Sequence, residues 1–172
     1  MTAPGARQHD TTARELACVA IGSNLGDRLD ALERAVRAMA SLPGTRLIAR
    51  SSIHETDPVG PVPQGPFLNA AVVIETSLVP LDLLDALLSI ERSMGRDRAT
   101  SVRWGPRVVD LDLLLYGSRV EAGPRLTLPH PRLHERPFVL EPLAEIAPNA
   151  VVPGIGRRIL DLRDALRGTV AR

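Results

Sequence analysis

Apolar residues recur along this chain in two rhythms, and the switches between them outline its elements. Leu16 to Ile21 is a compact apolar run ending at Gly22-Ser23-Asn24, the pattern of a strand entering a loop. Leu29, Leu32, Val36 and Met39 repeat every three or four residues, which predicts an amphipathic helix to about Leu42, stopped by Pro43-Gly44. Leu47 to Ile53 returns to strand character, and Phe67 to Thr76 alternates as a strand. Pro80 opens a second helix with Leu83, Leu87, Ile90 and Met94 on one face. A further strand carries Val109, Leu111, Leu113 and Leu115 around Asp110 and Asp112. Beyond it, Gly117 and Gly123-Pro124 bracket a short hairpin, and Leu126 to Pro131 is extended. Phe138 to Ile146 reads as a helix, followed by a short strand at Val151-Val152 and a helix from about Ile159 to Arg167. The order β-α-β-β-α-β plus a C-terminal extension predicts an α+β fold. It is the ferredoxin-like arrangement, a mostly antiparallel sheet with helices on one face. The C-terminal helices are then available to cover part of the other face.

Two loops break the rhythm. Asp57 to Pro66 holds four prolines and two glycines, too many for regular structure, and is long enough to act as a binding loop. Gly95 to Arg103 is polar and rich in arginine. The first residues are polar and lack an apolar signal core, so residues 1–14 read as a disordered tail before one domain spanning 15–172. No apolar stretch approaches the roughly 20 residues that cross a bilayer, which points away from a membrane and towards the cytosol. The net charge of +1 leaves no basic footprint for nucleic acid. One cysteine, Cys18, excludes a disulfide framework, and the balanced charge favours a monomer.

The chemistry concentrates in Arg103-Trp104-Gly105-Pro106-Arg107 and the strand after it. Side chains two apart on a strand share a face, so Asp110 and Asp112 project together, roughly 7 Å apart at Cα. Alternating aspartates are also what a solvated strand face shows. Here they sit in an otherwise apolar run, behind two arginines and the only Trp. Paired carboxylates resist burial unless a cation joins them, and magnesium takes one or two carboxylates together with substrate phosphates. Arginine suits those phosphates. Gly22-Ser23-Asn24-Leu25-Gly26 lacks the spacing of known glycine-rich phosphate cradles and is better read as a tight turn with a helix cap. Asn69, inside an apolar strand, is a polar amide that needs partners.

Four separated segments, in order, resemble one enzyme family. They are Gly22-Ser23-Asn24-Leu25-Gly26-Asp27, Gly65-Pro66-Phe67-Leu68-Asn69-Ala70-Ala71, Arg103-Trp104-Gly105-Pro106-Arg107 with Asp110-Leu111-Asp112, and Leu128-Pro129-His130-Pro131 with Arg136-Pro137-Phe138. The chain is similar to 6-hydroxymethyl-7,8-dihydropterin pyrophosphokinases of folate biosynthesis from about Leu16 to Pro153. The resemblance implies a ferredoxin-like α/β/α sandwich that moves pyrophosphate from ATP to the hydroxymethyl oxygen of the pterin, releasing AMP. It implies two magnesium ions held by Asp110 and Asp112, with Arg98 and Arg107 acting on the triphosphate. The nucleotide side would comprise Glu91, Arg98, Arg103, Trp104, Arg107, Leu113, Arg125, Thr127, His130 and Arg136. The pterin side would comprise Thr56, Val59, Phe67, Asn69 and Phe138. The chain has only two phenylalanines, and both fall there. Whether Arg96 or Arg98 reaches the phosphates stays open, because the arginine-rich loop is about one residue longer than in some relatives. A non-catalytic nucleotide-binding regulator on the same fold is the alternative.

Overall fold

A computed structural model describes residues 14–96 and 105–170. Its centre is an antiparallel sheet with strand order β2-β4-β1-β5, built from β1 (Glu15–Ser23), β2 (Thr45–Arg50), β4 (Phe67–Thr76) and β5 (Asp110–Tyr116). A short β3 (His54–Thr56) joins the same edge by pairing with β4. The helices α1 (Arg28–Ala40) and α2 (Pro80–Ser93) follow β1 and β4 and return the chain across one face. The antiparallel pairing and the helix placement are those predicted from the element order.

That face is closed by Val19, Ile21, Val72, Ile74, Leu111 and Leu113 from the sheet against Leu32, Met39, Leu83 and Leu87 from the helices. The spacing of the last four explains why these segments are helices: each buries one stripe and, apart from Glu91 of α2, leaves its charges outside. Asp27 caps α1, its carboxylate accepting from the Asp30 backbone N–H at 3.0 Å. Asp27→Ala is expected to cost about 1 kcal/mol of stability in urea unfolding while leaving the site untouched. The turn after α1 needs Gly44, whose φ is 64° and whose added Cβ would lie 2.1 Å from the Ser77 hydroxyl.

The other face is covered by α3 (Pro137–Ile146) and α4 (Ile159–Val170). Cys18, Val73, Leu114 and Leu115 pack there on Leu140, Leu143, Ile159 and Leu162. Burial pushes the Cys18 thiol up to about 12, so it is an inert core residue. Leu114 and Leu115 share this side because the β1–β5 register slips between Cys18 and Val19. Leu115 therefore leaves the face that simple alternation assigns to it.

The run from Leu47 to Ile53 is not one strand. Ser51 interrupts it: its backbone N–H donates to the Ala71 carbonyl at 3.0 Å, and its hydroxyl accepts from the Ala71 N–H at 2.9 Å. The side chain thus replaces a backbone acceptor in the ladder, and pairing resumes only at His54. Two two-stranded ribbons complete the chain: β6 (Glu121–Ala122) with β7 (Thr127–Leu128), and β8 (Val151–Val152) with β9 (Arg157–Arg158).

Candidate active site

The helices α3 and α4 cover only part of their face. Where they stop, the sheet floors a cavity of about 310 Å³. Its floor carries Gly22 and Ala20 of β1, Phe67 and Asn69 of β4, and Asp110 and Asp112 of β5. These residues alternate along their strands, so all six lie on one side of the sheet. The rim is Thr56, Asp57 and Val59 on one side, Arg96 and Arg107 on another, and His130, Arg132, Arg136 and Phe138 from the segment leading into α3. The carboxylate row and the aromatic-and-amide row therefore open into the same space.

Arginines surround the two carboxylates. Arg107 Nη1 donates to Asp110 Oδ2 at 2.6 Å, and Arg96 Nη1 donates to Asp110 Oδ1. Burial alone would raise the Asp110 carboxyl, but these two guanidinium groups outweigh it and hold it below the ordinary range. It is ionised at neutral pH. Arg136 Nη1 donates to Asp112 Oδ2 at 3.2 Å, and His130 Nε2 lies 3.9 Å from the same oxygen. Burial and the nearby Arg136 push the His130 imidazole down to about 4, so its ring is neutral at pH 7.

Glu91 organises this corner from below. Its side chain is 1% exposed, and its Oε1 accepts from the Leu111 N–H at 2.8 Å and from Arg96 Nη1 at 2.6 Å. It thereby fixes the start of β5 and the arginine resting on Asp110.

On the opposite side, Asn69 Nδ2 donates to Thr56 Oγ1 at 2.8 Å. Its carboxamide is oriented by that bond, with little freedom in a residue 6% exposed. The two phenylalanines each face an arginine. The Arg107 guanidinium carbon lies 5.8 Å from the Phe67 ring centre, and that of Arg136 lies 5.8 Å from the Phe138 ring centre. The charged half and the aromatic half of the cavity are thus in direct contact.

Two ties hold the walls. Asn24 Nδ2 donates to Gln64 Oε1 at 2.8 Å and to the Gly65 carbonyl at 3.2 Å, while its Oδ1 accepts from the Arg107 N–H at 2.8 Å. One amide joins the proline-rich loop to the approach of β5. At the far end of α3, Glu145 accepts from the Ser52 N–H and hydroxyl at 2.8 Å and lies 2.6 Å from His54 Nε2. That cluster joins β3, which carries Thr56, to the helix that carries Phe138. It is not a nucleophile relay, because Ser52 and Glu145 meet the same imidazole nitrogen.

Of the residues singled out from the sequence, Thr56, Val59, Phe67, Asn69, Arg107, Asp110, Asp112, His130, Arg136 and Phe138 line one cavity. Arg98, Arg103 and Trp104 lie outside the described residues. Four others are not brought to the cavity. Glu91 is buried beneath Arg96. Leu113 points into the core under α2, because it alternates with Asp112. Arg125 pairs with Asp85 on an exposed surface, and Thr127 is exposed in the ribbon beside it. Arg96, left open from the sequence, is in the cavity. Asn24 and Gly22 were readable only as turn residues. Their roles depend on β1 lying between β4 and β5, which local pattern does not reveal.

Paired carboxylates, clustered guanidinium groups and an aromatic pocket with an oriented amide define a class of site. Such a set can present positive charge to a polyanion beside aromatic faces for a flat heterocycle, on a ferredoxin-like sheet. Residues 18–148 match the family model of the 7,8-dihydro-6-hydroxymethylpterin-pyrophosphokinases. Curated relatives named 2-amino-4-hydroxy-6-hydroxymethyldihydropteridine pyrophosphokinase include a Pseudomonas aeruginosa protein, 46% identical over 84% of this chain and 87% of its own length. Another, from Methylorubrum extorquens, is 49% identical over 80% of this chain and 86% of its own length. The chain belongs to the 7,8-dihydro-6-hydroxymethylpterin-pyrophosphokinase family. Among solved structures, a Plasmodium falciparum HPPK-DHPS with pterin and p-hydroxybenzoate superposes with a TM-score of 0.71 at 16% identity, over 92% of this chain. The present chain spans 43% of that longer one, and the likeness extends to the fold.

Proposed function

We infer that this chain transfers pyrophosphate from ATP to the hydroxymethyl oxygen of 6-hydroxymethyl-7,8-dihydropterin, giving AMP and the pterin diphosphate for folate biosynthesis. Family membership supports the reaction. The observation that carries it to these residues is the single cavity in which Phe67 and Asn69 meet Asp110 and Asp112.

Magnesium fits the donor set. Asp110 and Asp112 offer hard oxygen donors on one face of β5. Among the described residues no group of three or more His, Cys, Asp or Glu forms a closed protein cage. Magnesium usually keeps waters and phosphate oxygens among its ligands, so two carboxylates beside a triphosphate suffice. When bound, the ions would neutralise the triphosphate and polarise it for attack. Asp110 and Asp112 would hold them.

The chain's own groups do the positioning. The hydroxyl oxygen attacks the β-phosphorus and gives its proton to solvent, and the bond from that phosphorus to the α–β bridging oxygen breaks to release AMP. Arg96, Arg107 and Arg136 carry fixed positive charge at the carboxylate edge, where negative charge accumulates in such a transfer. Phe67 and Phe138 present aromatic surfaces to the pterin ring, and Asn69 reads its polar edge. His130, neutral and weakly basic, serves as a hydrogen-bonding ligand rather than as the proton acceptor. Glu91 acts by positioning Arg96. Arg98, Arg103 and Trp104 belong to the nucleotide side in this reading. The enzyme works as a cytosolic monomer of one domain, without nucleic acid or membrane as a partner.

The test is an assay with ATP, magnesium and the pterin alcohol. AMP is expected only when all three are present. ATP consumption without the pterin would replace the reading with a hydrolase. ATP binding without AMP formation under any condition would return the non-catalytic regulator.

A further inference from the structure

We propose that the bare Cα of Gly22 forms the passage between the pterin half and the phosphate half of the cavity. This rests on the pyrophosphokinase reading above.

Gly22 sits in β1, the strand between β4 and β5, and lines the cavity. Its register partners are Asn69 on one side and Asp110 on the other. Directly paired residues on neighbouring strands point to the same face. The row across the sheet therefore reads amide, gap, carboxylate. With paired Cα atoms about 5 Å apart, Asn69 and Asp110 stand about 10 Å from each other across that gap.

A Cβ on Gly22 would enter this space. It would lie 3.1 Å from Asn69 Oδ1, 3.7 Å from Phe67 Cδ1 and 4.0 Å from Asp110 Cβ. Those three neighbours are the amide and ring of one half-site and the aspartate β-carbon of the other. Backbone conformation does not demand glycine there, because Gly22 is absent from the positive-φ glycines and lies in a regular strand. A glycine in a central strand costs stability and packs nothing. What it supplies at this position is space above the backbone.

The reaction needs that space. The pterin hydroxymethyl arm must leave the pocket of Phe67 and Asn69 and bring its oxygen to the phosphorus beside Asp110. The direct path crosses Gly22. Reacting atoms must approach to about 3–3.5 Å, and a misplacement of about 1 Å can cost about a hundredfold in rate. A methyl group in the gap would displace the arm by a comparable distance. Ala20, next on the same face of β1, continues the low floor towards Asp112.

The experiment compares wild type, Gly22→Ala, Asn69→Ser and the double variant. Pterin binding is titrated in the presence of a non-hydrolysable ATP analogue with magnesium, and steady-state turnover is measured alongside. Gly22→Ala is expected to weaken pterin binding at least tenfold and to lower kcat, with affinity for the ATP analogue within twofold of wild type. In the Asn69→Ser background the 3.1 Å contact is relieved, so a methyl at position 22 no longer crowds its neighbour. The penalty of Gly22→Ala is expected to persist there, because the ligand still has to pass. Pterin affinity and kcat within twofold of wild type in Gly22→Ala would overturn the proposal. So would a penalty that vanishes in the double variant, because Gly22 would then serve only to accommodate Asn69. Should Gly22→Ala alone not fold, the double variant against Asn69→Ser decides by the same criterion. Wild type that binds ATP but no pterin would overturn the functional reading itself, and with it the proposal.

Discussion

Asp110→Asn and Asp112→Asn are each expected to lower turnover at least about a thousandfold, equivalent to about 4 kcal/mol of lost transition-state stabilisation. Asparagine keeps the size of the side chain and one carbonyl acceptor but loses the charge that holds a divalent ion. Among the described residues, Asp110 is met by Arg96 and Arg107, so neutralising it leaves those guanidinium groups facing an amide. Asp110→Asn should therefore also lower the melting temperature. Among the described residues, Asp112 is met by Arg136 and His130, so neutralising it removes the charge partner of Arg136. Steady-state AMP production and thermal melting check both effects. Turnover within tenfold of wild type in both variants would remove the metal assignment.

Arg96→Ala is expected to lower kcat by about a hundred- to a thousandfold, the range seen when one preorganised donor to a developing charge is deleted. The argument rests on placement. Arg96 has a side chain 10% exposed, lines the cavity, and touches Glu91, the Val109 carbonyl and Asp110 through one nitrogen, Nη1. The compact ammonium of lysine can copy contacts made from a single point, but it lacks the planar fork that grips a phosphate. Arg96→Lys should thus keep the melting temperature while recovering only part of the activity. Single-turnover measurements would separate the chemical step from product release. Full activity in Arg96→Ala would move the phosphate-binding role to another arginine of the 95–103 segment.

The legible part of this molecule was whatever depends on local period. The stripe Leu29, Leu32, Val36, Met39 and the alternation from Phe67 to Thr76 became α1 and β4 within a residue or two. The paired aspartates were legible because two charges on one face of an apolar strand conflict with burial wherever that strand lies. The Ser51 break was not legible, because it depends on a hydroxyl substituting in a ladder with Ala71, twenty positions away. The reach of Arg96 was equally hidden. It is set by Glu91, which the family resemblance placed on the nucleotide side and which lies buried beneath Arg96. Leu113 and Leu115 show the limit of alternation: one bulge opposite Cys18 sends Leu115 to the other side of the sheet.

The Glu145 cluster has a thermodynamic consequence. Ser52 and His54 anchor the strand leading to Thr56, while Glu145 belongs to the helix that starts beside Phe138. Burial works against the Glu145 charge, yet hydrogen bonds from Ser52 and His54 keep its carboxyl below the ordinary range. Two walls of the ring slot are thus joined before any ligand arrives. The entropy of bringing them together is lost when the chain folds, and a planar ligand entering the slot does not lose it again. Affinity for a rigid bicycle can then come from a few aromatic faces and one amide, in a chain that has only two phenylalanines to offer.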